Sequence, residues 1–389
     1  MKKHNDIGFS TKAIHVGNEP DKTNGSITPA IYATSTYVQA APGNHLGYEY
    51  SRTHNPTRTR LEECLNSLEG GVGCVVTSSG MSAMGLVLHS LKTGAKVLCG
   101  DDVYGGTYRQ FTTIFNDKLN VKFIDTSDTT LTIKTIKEFK PDLIWLETPT
   151  NPLLKVSDIK EIAKASKNVK SQLLVDNTFM SPYFQKPLSL GADIVLHSMT
   201  KYINGHSDAI GGALICNDKK YVEKLRTLQN STGPCLSPFD SWIILRGLKT
   251  LEIRMERHQE NAMKIAKFLE GHKGVKKVIY PGLKSHPNFK TMKKNATGFG
   301  GMISFYLVGG MKESNKFLKK IELFSLAESL GGVESLVEQP ATMTHASIPK
   351  NVRESIGIED SLIRLSVGIE NVNDLIKDLD QAIKFAYKS

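Results

Sequence analysis

Residues 173–201 read LLVDNTFMSPYFQKPLSLGADIVLHSMTK and contain two apolar runs, each followed by a polar side chain. The first run ends at Asp176, and the second leads to Lys201. Short runs rich in Leu, Val and Ile, separated by a connection, predict neighbouring strands of an α/β sheet. Open sheets of this class hold ligands at the carboxyl ends of their strands. We therefore expect Asp176 and Lys201 at one ligand-binding edge.

A lysine and an aspartate at such an edge suggest pyridoxal phosphate (PLP) as the cofactor. The aldehyde of PLP forms a Schiff base with a lysine, and its pyridine nitrogen needs a carboxylate to remain protonated. We predict the first role for Lys201 and the second for Asp176. A buried structural ion pair is the alternative, since such pairs also occur at strand ends.

The length of the chain predicts more than one domain. Its 389 residues exceed the size at which a single hydrophobic core stops growing. Residues 1–60 are rich in Gly, Pro, Thr and Asn and show little periodicity, which predicts an N-terminal arm that reaches the neighbouring subunit. We expect the cofactor-binding domain over residues 61–250 and a smaller C-terminal α+β domain over residues 251–389.

Between the arm and residue 216, short apolar runs alternate with helical patterns. This alternation predicts a large, mostly parallel sheet with helices on both faces. The runs begin at Cys74, Lys96, Val121, Leu143, Gln172, Asp193 and Ala213.

Beyond residue 216, the patterns predict a helical bridge and a smaller α+β unit. An amphipathic stretch from Ser241 to Leu269 has near-helical spacing and would join the two domains. Further strand-like runs begin at Lys276, Met302 and Leu362, and a helical pattern from Asp374 to Tyr387 closes the chain.

Charge and cysteine content narrow the class of protein. The formal charge of +10 is dispersed, without a run of five or six like charges, so we expect no nucleic-acid partner. The first six residues lack an apolar signal, and no long apolar span occurs, so we expect no membrane association. Five cysteines without a CxxC pair favour the cytoplasm, and the histidines have no metal-ligand spacing.

A loop of small residues precedes the second predicted helix. Thr77-Ser-Ser-Gly80-Met81 would turn the chain into a helix whose free amides and positive dipole end hold a phosphate. The hydroxyl groups of Ser198 and Thr200 would add donors to the same phosphate. An ordinary capped turn is the alternative for this loop.

Two other loops follow predicted strands and carry candidate groups. Tyr104, in Gly100-Asp-Asp-Val-Tyr104, would stack on the cofactor ring, although packing is a common role for a loop tyrosine. Asn151, in Glu147-Thr-Pro-Thr-Asn151-Pro, would donate to the ring hydroxyl or to a substrate carboxylate. The alternative for the second loop is a rigid turn fixed by its prolines.

Together these residues resemble the PLP-dependent enzymes of cysteine and methionine metabolism, which have the fold type I (aspartate aminotransferase-like) architecture. The resemblance covers nearly the whole chain. Its most specific stretches are Tyr48-Glu-Tyr50-Ser-Arg52-Thr-His-Asn-Pro-Thr-Arg58, Asp176-Asn-Thr-Phe-Met-Ser-Pro, Ser198-Met-Thr-Lys201-Tyr-Ile-Asn-Gly-His-Ser-Asp and Ala327-Glu328-Ser329-Leu-Gly-Gly-Val-Glu.

The resemblance implies a role for each matching cofactor residue. Lys201 would be the Schiff-base lysine and a catalytic residue, Asp176 the partner of the pyridine nitrogen, and Tyr104 both the stacking ring and a catalytic residue. Phosphate ligands would be Gly80, Met81, Ser198 and Thr200. The neighbouring subunit would supply Tyr50 and Arg52, which implies a homotetramer built as a dimer of active dimers.

The resemblance also implies an amino-acid substrate. Arg364 would bind its α-carboxylate, because a planar two-point donor suits that group. Ser329 and Asn151 would assist Arg364. Glu328, Glu49 and Arg109 would bind more distant groups of the substrate, and surface ion pairs are the alternative for Glu49 and Arg109.

The blocks that match best imply cleavage of cystathionine by γ-elimination to cysteine, 2-oxobutyrate and ammonia. Cystathionine γ-synthesis, the γ-replacement of an O-acylhomoserine by cysteine, remains open, and so does β-elimination of cystathionine. A nicotinamide-dependent dehydrogenase is disfavoured, because Gly70-Gly-Val-Gly73 precedes the first strand without completing GxGxxG.

Overall fold

We describe a computed structural model of the chain over residues 7–344 and 350–388. The segment in which we looked for a signal, residues 1–6, lies outside the described residues. Two sheets organise the chain. The strands of the larger sheet are β1 (Gly73–Thr77), β2 (Ala95–Gly100), β3 (Leu119–Ile124), β4 (Leu143–Glu147), β5 (Gln172–Asp176), β6 (Ile194–Ser198) and β7 (Gly212–Cys216).

The larger sheet has the strand order β1-β7-β6-β5-β4-β2-β3. Its strands from β6 to β3 are parallel to one another, and β7 runs antiparallel to both of its neighbours. Every residue of β4 is buried, as expected for a strand with helices over both faces. The seven predicted strands and the mostly parallel α/β sheet are therefore confirmed.

A smaller sheet lies in the C-terminal part of the chain. Its strands are β8 (Val275–Ile279), β9 (Met302–Leu307), β10 (Ser325–Leu326), β11 (Leu336–Glu338) and β12 (Leu362–Ser366). They have the order β10-β11-β12-β9-β8, and only β10 and β11 pair in parallel. The short strands β10 and β11 were missed by the sequence analysis, because two or three residues are too few to reveal a period.

The helices cover the faces of both sheets. In chain order they are α1 (Phe9–His15), α2 (Pro56–Glu69), α3 (Gly80–Ser90), α4 (Gly105–Arg109), α5 (Thr129–Phe139), α6 (Ile159–Asn168), α7 (Ser181–Phe184), α8 (Lys219–Thr232), α9 (Pro238–Leu248), α10 (Leu251–Glu270), α11 (Phe289–Asn295), α12 (Met311–Lys320), α13 (Lys350–Ser355) and α14 (Val372–Ala386). A π-helical turn (Gln110–Ile114) follows α4, and a 3-10 turn (Pro187–Leu190) precedes β6.

Two sequence expectations differ from the structure in detail. The amphipathic stretch from Ser241 to Leu269 forms two helices, α9 and α10, because the chain leaves the helical path at Lys249 and Thr250. The N-terminal arm is not extended throughout, because α1 packs its buried Ala13 into the core. Helix α2 also crosses the boundary placed at residue 60, and the division into domains stays a prediction.

The two sheets share one hydrophobic cluster, which fixes the carboxyl edge of the larger sheet against the smaller one. The cluster contains Val195 of β6, Tyr202 of the turn after β6, and Met302 and Leu362 of the smaller sheet. The backbone of Gly331, at φ +78°, lies so close to this turn that a Cβ atom would be 2.6 Å from the Tyr202 nitrogen. In residues 7–344 and 350–388, no helix combines the length and apolar character needed to cross a membrane.

Candidate active site

A cavity of about 350 Å³ lies between the carboxyl edge of the larger sheet and the smaller sheet. Eleven of the site residues predicted from the sequence line it. They are Gly80, Met81, Tyr104, Asn151, Asp176, Ser198, Thr200, Lys201, Glu328, Ser329 and Arg364. Sequence reasoning therefore located the cavity through residues that are far apart along the chain.

Lys201 lies in the turn that follows β6, and its side chain is largely buried. Its Nζ atom donates to the Oγ atom of Ser329 at 2.8 Å. The pKa of Lys201 is lowered to about 8, chiefly by burial and also by the charge of Arg364, while Glu338 and Glu328 oppose the shift. A neutral amine is therefore accessible close to neutral pH.

Asp176 is the last residue of β5 and lines the cavity, as does Arg364 on β12. Thr178 donates to its Oδ1 atom twice, from the backbone N–H at 3.0 Å and from the hydroxyl at 2.5 Å. Burial raises the pKa of Asp176, and the two hydrogen bonds from Thr178 lower it. The Thr178 hydroxyl also accepts from the Ser198 N–H at 2.9 Å, so it ties β5 to β6.

The start of α3 forms one end of the cavity. Ser79 caps this helix by accepting from the Ser82 N–H, and the helix begins at Gly80, which lines the cavity together with Met81 and Ser198. A Cβ atom on Gly80 would lie 3.0 Å from the Cβ atom of Ser198, which favours glycine at this position. The Thr200 hydroxyl accepts from the Gly211 N–H at 3.2 Å.

Arg364 lies on β12 and is only 3% exposed. Its Nη1 donates to Asn151 Oδ1 at 2.8 Å, and its Nη2 donates to the Ser329 carbonyl at 2.8 Å. Glu338, its cross-strand partner, places a carboxylate oxygen 2.8 Å from Nη2. The Nε atom is buried and has no hydrogen-bond partner among the described residues. A free N–H of this kind is a suitable donor for a ligand carboxylate.

Ser329 contacts both Lys201 and Arg364, and its backbone has an unusual conformation. Its φ of +104° lies in a region that residues with a Cβ atom rarely adopt. In this conformation its hydroxyl accepts from Lys201, while its carbonyl accepts from Arg364. Strained backbone of this type is concentrated at functional sites.

Four predicted site residues do not line this cavity. Glu49, Tyr50 and Arg52 lie in the exposed N-terminal arm, where Arg52 donates to Asn230 and its guanidinium stands 5.4 Å from the ring centre of Tyr50. Arg109 is an exposed residue at the end of α4. The roles of these four residues at the ligand, which Glu49, Tyr50 and Arg52 would fill at the site of a neighbouring subunit, stay predictions.

The sequence analysis assigned no role to two residues that line the cavity, Thr178 and Glu147, or to Glu338, which contacts Arg364. Thr178 lies two residues after Asp176, so its short Asp-x-Thr spacing was a usable signal for a hydroxyl bonded to that carboxylate. Glu338 is the last residue of β11, a strand that was itself missed. Glu147 was quoted only as the start of the Asn151 loop, yet it lines the cavity and is 5% exposed.

The donor set fits PLP. The start of α3 and the Ser198 and Thr200 hydroxyls suit a phosphate at one end, a buried carboxylate suits a pyridine nitrogen, and a lysine with a lowered pKa suits an aldehyde. The sheet order and this cavity define a PLP-dependent enzyme of fold type I.

The chain belongs to the family described as "Cys/Met metabolism PLP-dependent enzyme", whose sequence profile matches residues 10–384. A cystathionine gamma-lyase from Macaca fascicularis is 51% identical over 97% of this chain and 94% of its own length. One from Dictyostelium discoideum is 50% identical over 98% and 99%. A cystathionine beta-lyase from Coxiella burnetii is 49% identical over 96% and 97%.

Solved structures agree with this assignment. The structure of cystathionine gamma synthase from Xanthomonas oryzae in complex with aminoacrylate and cysteine has a TM-score of 0.95 to this chain. It is 42% identical, and the match covers 98% of each chain. The family, the fold and the use of PLP predicted from the sequence are thus confirmed.

Proposed function

We propose that this enzyme is a carbon–sulfur lyase that cleaves cystathionine by γ-elimination to cysteine, 2-oxobutyrate and ammonia. The observation that carries this proposal is Glu328 on the cavity wall, close enough to influence the pKa of Lys201. The two γ-lyase relatives support it, since each matches this chain over nearly its whole length.

The residues around Arg364 bind the substrate carboxylate. Arg364 offers its free Nε–H and shares its other donors with Asn151 and Ser329, so these two residues fix the plane of the guanidinium. Glu338 balances the charge of Arg364 when no substrate carboxylate is present. This arrangement orients the Cα–H bond of the amino acid towards Lys201.

The cofactor site is formed by residues at the strand ends and at the start of α3. Asp176, which accepts two hydrogen bonds from Thr178, would pair with the protonated pyridine nitrogen. The phosphate ligands are Gly80 and Met81 at the start of α3, with the Ser198 and Thr200 hydroxyls. Tyr104 stacks on the ring and assists proton transfer. When bound, PLP supplies the electron sink that stabilises negative charge at the substrate Cα.

Lys201 is the base of the reaction. Its amine would hold the cofactor aldehyde, and as a neutral amine it would take the Cα proton of the bound amino acid. For γ-elimination a proton must then leave Cβ, and the lowered pKa of Lys201 suits an amine that accepts and returns protons repeatedly. The Ser329 hydroxyl holds Nζ in place between these steps.

The active unit is a dimer, and the full assembly is a homotetramer of two such dimers in the cytoplasm. The arm supports this, because Glu49, Tyr50 and Arg52 are exposed and away from the cavity of their own chain. Tyr50 and Arg52 reach the phosphate of a neighbouring subunit, and Glu49 reaches the distal amino group of its substrate. Arg109, at the rim beyond Tyr104, binds the distal carboxylate.

Cystathionine γ-synthesis is the second candidate. The structural match to a cystathionine gamma synthase favours it, because that enzyme has the same fold over 98% of both chains. It would require cysteine to enter the cavity and replace the γ-substituent of an O-acylhomoserine. β-Elimination, suggested by the Coxiella relative, ranks third.

An assay of the purified, PLP-loaded enzyme separates these activities. We expect a larger kcat/KM for cystathionine cleavage than for the reaction of an O-acylhomoserine with cysteine, and no turnover of either by Lys201→Ala. A larger kcat/KM for the replacement reaction would instead identify a γ-synthase.

A further inference from the structure

Glu147 is a buried carboxylate at the cavity for which the proposed reaction has no role. It is the last residue of β4 and lies directly beside Asp176, the last residue of β5, in the sheet register. Only 5% of Glu147 is exposed, although it lines the cavity. Two carboxyl groups side by side in a buried place are unfavourable, so an acidic residue here needs a compensating function.

A hydrogen bond of Glu147 connects two loops that follow different strands. Its Oε2 atom accepts from the backbone N–H of Tyr104 at 2.9 Å. Tyr104 follows β2, whereas Glu147 ends β4 and leads into the loop that contains Asn151. The hydrogen bond therefore ties the Tyr104 loop to the start of the Asn151 loop.

Beyond Asn151 the connection continues to the substrate site. The Asn151 side chain accepts from Arg364 Nη1 at 2.8 Å, and Arg364 also donates to the Ser329 carbonyl. Glu147 thus stands between the tyrosine at the ring and the arginine at the carboxylate. The second buried acid of this region, Asp102, accepts from Thr150 and from the Leu153 N–H and supports the same Asn151 loop from behind.

We propose that Glu147 is a positioning residue that sets the spacing between the ring-stacking Tyr104 and the carboxylate-binding pair Asn151–Arg364. The proposal rests on the roles assigned to those three residues in the proposed function. The acceptor oxygens of Glu147 are what matters, because loss of an acceptor leaves a buried backbone N–H unsatisfied and its loop free to shift. A shift of about 1 Å between reacting groups lowers the rate on the order of a hundredfold.

If only the charge of Glu147 mattered, replacement by Gln and replacement by Ala would have the same effect. Burial and the neighbouring Asp176 raise the pKa of Glu147 well above its usual value, Asp102 raises it further, and the N–H groups of Tyr104 and Asn151 lower it. Glu147→Gln keeps the size and one acceptor oxygen for the Tyr104 N–H. Glu147→Ala removes both acceptors. Positioning therefore predicts a graded loss, largest for the alanine.

The control is Asp193→Asn, at the opposite end of the same sheet. Asp193 also accepts a backbone N–H through its carboxylate, from Leu173 at 2.8 Å, but it precedes β6 rather than following it. Asp193→Asn therefore replaces a carboxylate by an amide in the same sheet, as Glu147→Gln does, but at a residue that does not line the cavity.

The measurements are the visible circular dichroism of bound PLP per absorbance unit, and kcat and KM for cystathionine. We expect Glu147→Ala to change the dichroic band and to raise KM about tenfold while lowering kcat about tenfold, with Glu147→Gln between it and the parent. Asp193→Asn should keep the parental band and kinetics even if its Tm falls.

A parental dichroic band and KM in both Glu147 variants, with only a lower Tm, would overturn the proposal. If Glu147→Ala does not fold, the same comparison is made with Glu147→Gln alone. The dichroic band reports the ring position without substrate, so it tests Glu147 even if the enzyme prefers a different amino acid from cystathionine.

Discussion

The Nζ atom of Lys201 donates a 2.8 Å hydrogen bond to the hydroxyl of Ser329, and this contact joins the two sheets in the middle of the cavity. The backbone carbonyl of Ser329 accepts a hydrogen bond from Arg364. The amine that we propose as the base and the arginine that we propose as the carboxylate ligand therefore contact the same residue, whose backbone is held at φ +104°.

Removal of the Ser329 hydroxyl should lower kcat about tenfold, because a hydrogen bond to a charged group contributes about 1.5–3 kcal/mol. Ser329→Gly and Ser329→Ala both remove the hydroxyl, but glycine accepts a positive φ without strain. We expect similar losses of kcat in the two variants and a higher Tm for the glycine variant. Parental kcat in Ser329→Gly would contradict the prediction, because it would show that the hydroxyl does not contribute to the rate.

The pH dependence of cofactor capture follows from the lowered pKa of Lys201. Only the neutral amine attacks the aldehyde, so the rate at which stripped enzyme captures PLP should rise with pH, with a midpoint near the pKa of about 8. Stopped-flow absorbance measures this rate. A midpoint near 10.5, the ordinary pKa of lysine, would contradict the burial argument.

Glu338→Gln tests which charges control that midpoint. The Glu338 carboxylate raises the pKa of Lys201, so its removal should move the midpoint of PLP capture to lower pH. Glu161→Gln is a suitable control, because Glu161 is on α6 and pairs only locally with Lys164. An unchanged midpoint in Glu338→Gln would show that the Glu338 carboxylate does not control the pKa of Lys201.

Thr178 should control the affinity for PLP through Asp176. Thr178→Val removes the hydroxyl that donates to Asp176 Oδ1, so the pKa of Asp176 should rise further and a smaller fraction should be ionised at a given pH. We expect weaker PLP binding, more so at pH 6 than at pH 8, and recovery in Thr178→Ser. Equal dissociation constants for the parent and the valine variant at both pH values would be inconsistent with this role.

The exchange of arms between subunits can be tested by complementation. Arg52→Ala and Lys201→Ala each lack one contribution to the site, and a mixed dimer would restore one complete site from the arm of one chain and the lysine of the other. We expect activity to return when the two inactive variants are mixed under conditions of subunit exchange. Differently tagged subunits that copurify without regaining activity would count against an arm that acts across the dimer.

The fold was largely predictable because its strands are buried on both faces. Continuous apolar runs such as Leu143–Leu146 have few alternative interpretations in an alternating chain. The reversed direction of β7 was not predictable, since the sequence of a buried strand is much the same in either direction. The break between α9 and α10 at Lys249 and Thr250 also lacks a proline that would mark it.

The site was predictable where chemistry requires one residue type. Lys201, Asp176 and Arg364 each have a side chain that a PLP enzyme needs, and the cavity contains all three. Groups that act through other residues, such as Glu147 and Glu338, were missed because their partners are distant in sequence and are recognised only in three dimensions. Glu49 lies away from the cavity of its own chain, and its contact with the site of a neighbouring subunit stays a prediction.

The most direct test of the account is the identity of the products from cystathionine. We predict cysteine and 2-oxobutyrate in equal amounts, with ammonia. These are the products when the Cγ–S bond of cystathionine breaks, with Lys201 as the base and Glu328 beside it. Homocysteine and pyruvate as the main products would contradict γ-elimination and assign the enzyme to β-elimination.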